Sequence, residues 1–290
     1  MRTESSLSVP IRFTYSASGF GERRYPYHLP WRQLPDGLIE RPLGGSWNLE
    51  IEEQSAAIVH SGEVLVIPRG VRHRMSMLGT RVMHTAWMMV GYDGLAGKDL
   101  LAAARIPLVL PRSTGTRLAA LMAAVRQLAP ATHHGDLAAL ARLYVAGFQV
   151  FEILLQSAQV RNLAPVDPDL DRLLPVLRYV ETNLEKPLST RDLARQAYLS
   201  SSRFYTVFKR VFGITPMAYV QDVRLRLAQR LLITTTRPIG EIAMMVGFAS
   251  PYYFSRTFHR YCRTTPTSFR EDPNWFASSA DPSIDQANRG

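Results

Sequence analysis

The chain has 290 residues, 46% apolar and 20% charged, with a formal net charge of +10 and one cysteine. That length accommodates two domains, and the composition is that of an ordinary globular protein rather than a disordered or fibrous one. The lone Cys262 excludes an intramolecular disulfide; no apolar run approaches the ~18 residues of a membrane span and Met1–Phe13 lacks the apolar core of a secretion signal, so a cytoplasmic location without membrane attachment is expected.

Residues 1–95 read as strands. Leu38–Glu40, Trp47–Ile51, Ala56–Val59, Val64–Ile67 and Arg81–Val90 are short, partly alternating runs separated by Gly, Pro and Asp turns, a pattern of barrels and sandwiches. Ser61-Gly62-Glu63 followed by the apolar Val64–Ile67 and then Pro68-Arg69-Gly70-Val71-x-His73 resembles the segment of cupin barrels that runs from a Gly-acid turn through an apolar strand to a Pro-x-Gly turn and a His. The resemblance covers Gly44–Met75 and implies an all-β cupin-like barrel. A cupin metal site takes a His-x-His pair with a downstream Glu and a further His. Here His60, His73 and His84 stand apart and no His-x-His occurs, so no metal, no other cofactor and no catalytic residue is expected. Barrel interiors commonly hold a small molecule. His73 is a candidate for lining such a pocket or for bonding to backbone at its rim. Trp31, Arg41, Trp47 and Trp87 are further candidates, because aromatic faces and Arg suit sugars or small acids.

From Ser113 the pattern turns helical. Thr116–Leu128 carries Leu118, Leu121, Met122 and Val125, and His133-His134, with no third ligand near, reads as a solvated cap region. Asp136 then caps a long helix bearing Leu140, Leu143, Tyr144, Gly147, Phe148, Phe151 and Leu155. Its apolar girth exceeds one packing face: it either covers the barrel or also pairs with a second subunit, and a homodimer is expected. These elements make a first domain over 1–162, followed by a Pro-punctuated linker over 163–169.

Residues 170–273 say nearly the same thing twice. Phe204, Phe208, Lys209-Arg210 and Thr215-Pro216 recur 50 positions later as Phe254, Phe258, His259-Arg260 and Thr265-Pro266. In the first copy, Ser189 and Asp192 form a capping box for a helix over Thr190–Ala197. Ser200 caps the next helix, to about Phe212, before Gly213. Thr215-Pro216 starts a linker helix running to Leu232. In the second copy a helix from Ile239 to Val246 ends at Gly247, Ser250-Pro251 starts a helix over 251–262, and Thr265-Pro266 starts a last short one. Each copy is two short helices joined by a tight turn, a helix-turn-helix.

In helix 201–212, Phe204, Val207, Phe208 and Val211 share the inward stripe, leaving Ser201, Ser202, Tyr205, Thr206 and Lys209 outward. In helix 251–262, Phe254, Thr257, Phe258 and Tyr261 point inward and Pro251, Tyr252, Ser255, Arg256 and His259 outward. Neither outward face has an acid. From Leu170 to Asp272 there are 16 Lys and Arg against 8 Asp and Glu, the balance that phosphate neutralisation requires.

With Ile242-Ala243-x-x-Val246-Gly247-Phe248-x-Ser250, Tyr253-Phe254-Ser255-x-x-Phe258-x-Arg260 and Thr265-Pro266, residues 170–272 resemble the DNA-binding domain of the AraC/XylS family of bacterial transcription regulators. Arg263 and Cys262 stand where that family's second copy often has Gly and Phe. The resemblance implies an all-α double helix-turn-helix that sets two recognition helices into successive major grooves of double-stranded DNA. In that reading Ser201, Ser202, Tyr205, Thr206, Pro251, Tyr252, Ser255 and Arg256 meet bases and sugars, and Lys209, Arg210, His259 and Arg260 meet phosphates. It also implies a non-enzymatic regulator whose N-terminal barrel binds a small effector, and contact with RNA polymerase if it activates. The alternatives are an effector-independent regulator with a vestigial barrel, and a cupin enzyme with an accessory DNA-binding domain. The polar tail over 274–290 is expected to be disordered.

Overall fold

A computed structural model describes residues 11–271 except 53, 55, 80, 95, 96, 134 and 161–168. The chain divides at Leu163/Ala164 into two compact units. The tail over 274–290, His134 and the expected linker, Asp169 excepted, lie outside the described residues.

The N-terminal unit holds strands β1 (Arg12–Arg24), β2 (His28–Gln33), β3 (Gly37–Leu43), β4 (Ser46–Ile51), β5 (Ala57–Val59), β6 (Val64–Ile67), β7 (Arg72–Leu78), β8 (Val82–Asp93) and β9 (Val109–Leu110). They form two antiparallel sheets, ordered β1-β8-β3-β6-β9 and β2-β7-β4-β5. The strand-rich expectation therefore holds, with β1, β2, β7 and β9 in addition to the runs read from the sequence. The cupin-like segment runs through β4 to β7, and its turns require left-handed backbone at Gly62 (φ 83°) and Gly70 (φ 75°).

Helices α1 (Leu100–Ala103), α2 (Arg112–His133) and α3 (Leu137–Leu155) complete this unit. Alternate residues of the larger sheet, Ile39, Val64, Val66, Met88, Val90 and Tyr92, form one core with Leu118, Met122 and Val125 of α2 and Leu143, Val150, Phe151 and Leu154 of α3. Tyr92 stacks on Phe151 at 4.4 Å between centroids and donates its hydroxyl to the Gly147 carbonyl at 2.7 Å. Gly147 is required in mid-helix because a Cβ there would lie 2.3 Å from the Phe13 ring. The Asp136 side chain caps α3 as expected, accepting from the Ala138 and Ala139 N–H groups. By length and composition α3 is also apolar enough to cross a bilayer. Its buried face lies in this core, however, and a core helix meets the same test. Leu137, Leu140, Tyr144 and Val145 remain on its exposed side.

The second unit is helical: α4 (Leu170–Thr182), α5 (Thr190–Gln196), α6 (Ser201–Phe212), α7 (Pro216–Thr234), α8 (Ile239–Met245), α9 (Pro251–Cys262) and α10 (Pro266–Glu271). The punctuation read from the sequence is in place. Ser189 and Asp192 make the capping box, Ser200 and Ser250 cap α6 and α9, and Thr215 caps α7 with Pro216 in its first turn. Gly213 ends α6 at φ 75°. Arg263 itself takes the left-handed position past α9, at φ 59°, so the missing family Gly leaves the helix end in place. Cys262 is buried, with its thiol pushed up to about 12 by desolvation.

Candidate nucleic-acid interface

Two helices carry the candidate residues, and both are anchored the same way. On α6, Phe204 and Phe208 are fully buried and Val207 nearly so; on α9, Phe254, Phe258 and Thr257 are buried. The rings interlock, Phe204 with Phe208 at 5.4 Å and Phe254 with Phe258 at 5.5 Å. Phe208 also packs on Tyr219 of α7, and Phe258 on Phe269 of α10. Anchoring by these rows leaves Ser201, Ser202, Tyr205, Thr206, Lys209 and Arg210 exposed on α6, and Pro251, Tyr252, Arg256, His259 and Arg260 exposed on α9, with Ser255 half-buried.

Three details depart from the expected faces. Val211 and Tyr261 are half-buried rather than core residues; the Tyr261 hydroxyl donates to Asp222 of α7 at 2.7 Å. Arg210 is ion-paired with Asp169, so an acid from another element does reach the first face. Sequence reasoning also passed over exposed Arg203 and Tyr253, which flank the two stripes.

The linker helix α7 fixes the second module by side-chain contacts. Asp222 accepts from Tyr261 and from Arg226 Nε at 3.0 Å, and Gln229 Nε2 donates to Cys262 Sγ at 3.2 Å. Nineteen residues give this helix a length of about 28 Å. The turns of the two modules differ. Tyr198 takes φ 55° with its side chain 94% exposed. Its counterpart Gly247 takes φ 86° in a crowded place, where a Cβ would lie 1.9 Å from the Leu184 carbonyl oxygen and 2.7 Å from Arg224 Nη2.

Between the sheets of the first unit lies a narrow cleft, open to solvent, with a cavity volume of about 30 Å³, room for one or two water molecules. Of the expected pocket residues, Trp47 and Trp87 line it; sequence reasoning missed Arg23, Tyr27, Arg32 and Glu40, which line it too. Glu40 is buried, accepts from Trp47 Nε1 at 3.0 Å, and has its carboxyl pushed up by desolvation against the pull of Arg32 and Arg23. Trp31 is not on the cleft; it packs against the guanidinium groups of Arg72 and Arg74. Arg41 faces Gly62, with Nε 3.5 Å from its carbonyl. His73 is neither at the rim nor on the cleft. It is fully buried, its Nδ1 lies 2.9 Å from the Val71 carbonyl, and its Nε2 receives Arg32 Nε at 3.3 Å. Desolvation, with Arg32 adding to it, lowers this imidazole to about 3 and keeps it neutral. Among the described residues, no group of three or more His, Cys, Asp or Glu is placed to hold a metal ion.

A helix-turn-helix domain family matches residues 193–272. The probable transcriptional regulator LumQ of Photobacterium leiognathi is 38% identical over 103 residues, 35% of this chain and 42% of LumQ. The bifunctional transcriptional activator/DNA repair enzyme AdaA of Bacillus subtilis is 34% identical over 104 residues, 36% of this chain and 49% of AdaA. This chain thus spans less than half the length of these curated relatives. The crystal structure of ToxT from Vibrio cholerae covers 90% of this chain and 97% of its own with a TM-score of 0.53 at 11% identity, a likeness of fold. Residues 193–272 form a helix-turn-helix domain of the AraC/XylS type, following a unit built of two antiparallel sheets.

Proposed function

We propose that the chain is a sequence-specific transcription regulator of the bacterial cytoplasm that sets α6 and α9 into successive major grooves of double-stranded DNA. The observation that carries this reading is the pair of helices, each pinned by a buried phenylalanine row and presenting hydroxyls, tyrosines and cations outward. Small hydroxyls, Tyr and Arg suit base and sugar edges. In this reading Ser201, Ser202, Tyr205, Thr206, Pro251, Tyr252, Ser255 and Arg256 meet bases and sugars; Lys209, Arg210, His259 and Arg260 meet phosphates, Arg210 by exchanging Asp169 for a phosphate oxygen. The chain acts by binding rather than by catalysis, and by contact with RNA polymerase where it activates. Selection of duplexes from a randomised pool by the full chain tests this: two short recognition segments about one helical turn apart are expected. Enrichment of no sequence, or of one segment alone, contradicts it.

A ToxT structure described as bound to an unsaturated fatty acid shares the fold, with a TM-score of 0.52 and 12% identity. For this chain the cleft between Arg23, Arg32, Glu40, Trp47 and Trp87 is the proposed effector site, which widens to admit a sugar or small acid. A ligand there biases the protein only by its differential affinity for two conformations. An effector-independent regulator is the second reading, favoured by the Trp47–Glu40 hydrogen bond, which already satisfies cleft groups from within the chain. A melting temperature that rises with ligand concentration supports the first; none over a panel of sugars and carboxylates supports the second. A homodimer through the exposed side of α3 completes the proposal.

A further inference from the structure

The two modules meet at a polar junction that the DNA-facing residues do not include. Arg224, on α7, donates Nε to the Leu184 carbonyl at 3.0 Å and Nη2 to the Lys186 carbonyl at 2.7 Å. Both carbonyls belong to the loop between α4 and α5, on the first module's side. The same Leu184 oxygen and Arg224 guanidinium press against Gly247, in the turn between α8 and α9 of the second module. One side chain thus ties together the loop that leads into the first helix-turn-helix, the linker helix, and the turn that aims the second recognition helix. Only a planar fork with several fixed donors spans two carbonyls in this way; a lysine ammonium is a single point on a flexible stem. The equivalent turn of the first module has no such neighbour: Tyr198 stands there almost wholly exposed. The crowding is therefore a property of the place where the modules meet, not of the repeated turn.

We propose that Arg224 is a positioning residue that fixes the separation and angle of α6 and α9, and thereby decides which spacing between two half-sites the protein accepts. This rests on the reading that both helices enter DNA. Inserting one base pair between half-sites rotates one against the other by about 35° and moves it by ~3.4 Å. A rigid junction passes that mismatch into lost contacts, whereas a loosened one absorbs it.

The test uses the full chain and a duplex that it enriches from a randomised pool, together with the same duplex carrying one inserted or one deleted base pair between the recognition segments. Arg224→Lys keeps the charge, so phosphate attraction is held constant; Gly247→Ala disturbs the same junction from the opposite side. Each protein is scored by the ratio of its affinities for the native and respaced duplexes in one sample, so an unfolded fraction cancels. The wild-type protein should lose about tenfold or more on respacing, as for a mismatched base pair. In both variants that ratio should shrink to about threefold or less, while base changes inside either segment keep their wild-type penalty. Unchanged ratios in both variants, whatever the loss in overall affinity, overturn the role of Arg224. A wild-type protein that ignores spacing, or enriches a single segment, overturns instead the two-groove reading.

Discussion

The equivalent turn residues Tyr198 and Gly247 should respond very unequally to substitution: Gly247→Ala should be costly and Tyr198→Gly nearly neutral. At Gly247, a Cβ would stand 1.9 Å from the Leu184 oxygen and 2.7 Å from Arg224 Nη2, on a backbone with φ 86°. Alanine there carries a left-handed penalty of about 1–2 kcal/mol. To make room it must also displace the Leu184 carbonyl from Arg224, a hydrogen bond to a charged group worth about 1.5–3 kcal/mol. Together these give a loss of about 2.5–5 kcal/mol for Gly247→Ala. Tyr198 holds φ 55° with its side chain 94% exposed, so Tyr198→Gly relieves similar backbone strain and removes almost no buried surface. The greater freedom of glycine in the unfolded chain offsets part of the relief, leaving a net change within about 1 kcal/mol of zero. Urea denaturation of the full chain, followed by helical circular dichroism, measures both. A Gly247→Ala cost below about 1 kcal/mol, or a Tyr198→Gly cost above about 2 kcal/mol, refutes the reasoning.

Three further outcomes are expected. His73 titrates near 3 in the folded protein against about 6.5 unfolded, so its contribution to stability is complete above pH 6.5 and is lost as the pH falls below it. Between pH 7.5 and 5.0 that loss is about 2 kcal/mol, and denaturation of His73→Gln at the two pH values should lack it. Glu40, raised by burial, works in the opposite sense and remains in both proteins. Replacing Arg256 by Ala should cost about 1–3 kcal/mol on the enriched duplex and relax preference at one base pair, whereas Lys209→Ala should weaken all sequences alike and lower the salt slope by about one; equal losses for Arg256→Ala on specific and random DNA would make it a phosphate contact. Leu140→Glu, on the exposed side of α3, should weaken self-association about tenfold or more in sedimentation equilibrium without loss of helical circular dichroism; unchanged self-association, or none in the wild-type protein, contradicts a dimer through α3.

The helical unit was legible because its boundaries are written in local chemistry. Ser200, Gly213, Thr215-Pro216 and Ser250-Pro251 act within one turn of themselves, and Phe204/Phe208 with Phe254/Phe258 mark the buried stripes. Helix α4 was not legible: Pro175, a residue that argues against a helix, stands inside it, and Leu173, Val176, Leu177 and Val180 make sense only with α5 packed on them. Among the strands, β7 hides its alternation because a histidine, His73, occupies an inward position with Met75 and Met77. The cleft depends on register, which no short stretch encodes. Glu40 pairs with Trp87 across β3 and β8, while Arg41, one residue on, faces the other way. A register shift between Leu29 and Arg32 turns Arg32 rather than Trp31 toward the cleft. Arg224 was invisible for the same kind of reason: its partners, Leu184 and Lys186, are backbone carbonyls about 40 residues earlier.

Hydroxyl-radical footprinting of the full chain on its enriched duplex tests the central claim most directly. Two protected segments about 10–10.5 base pairs apart on one face of the helix are expected, each lost separately when the exposed residues of α6 or of α9 are replaced by alanine. A single protected segment, or two on opposite faces of the duplex, contradicts the account.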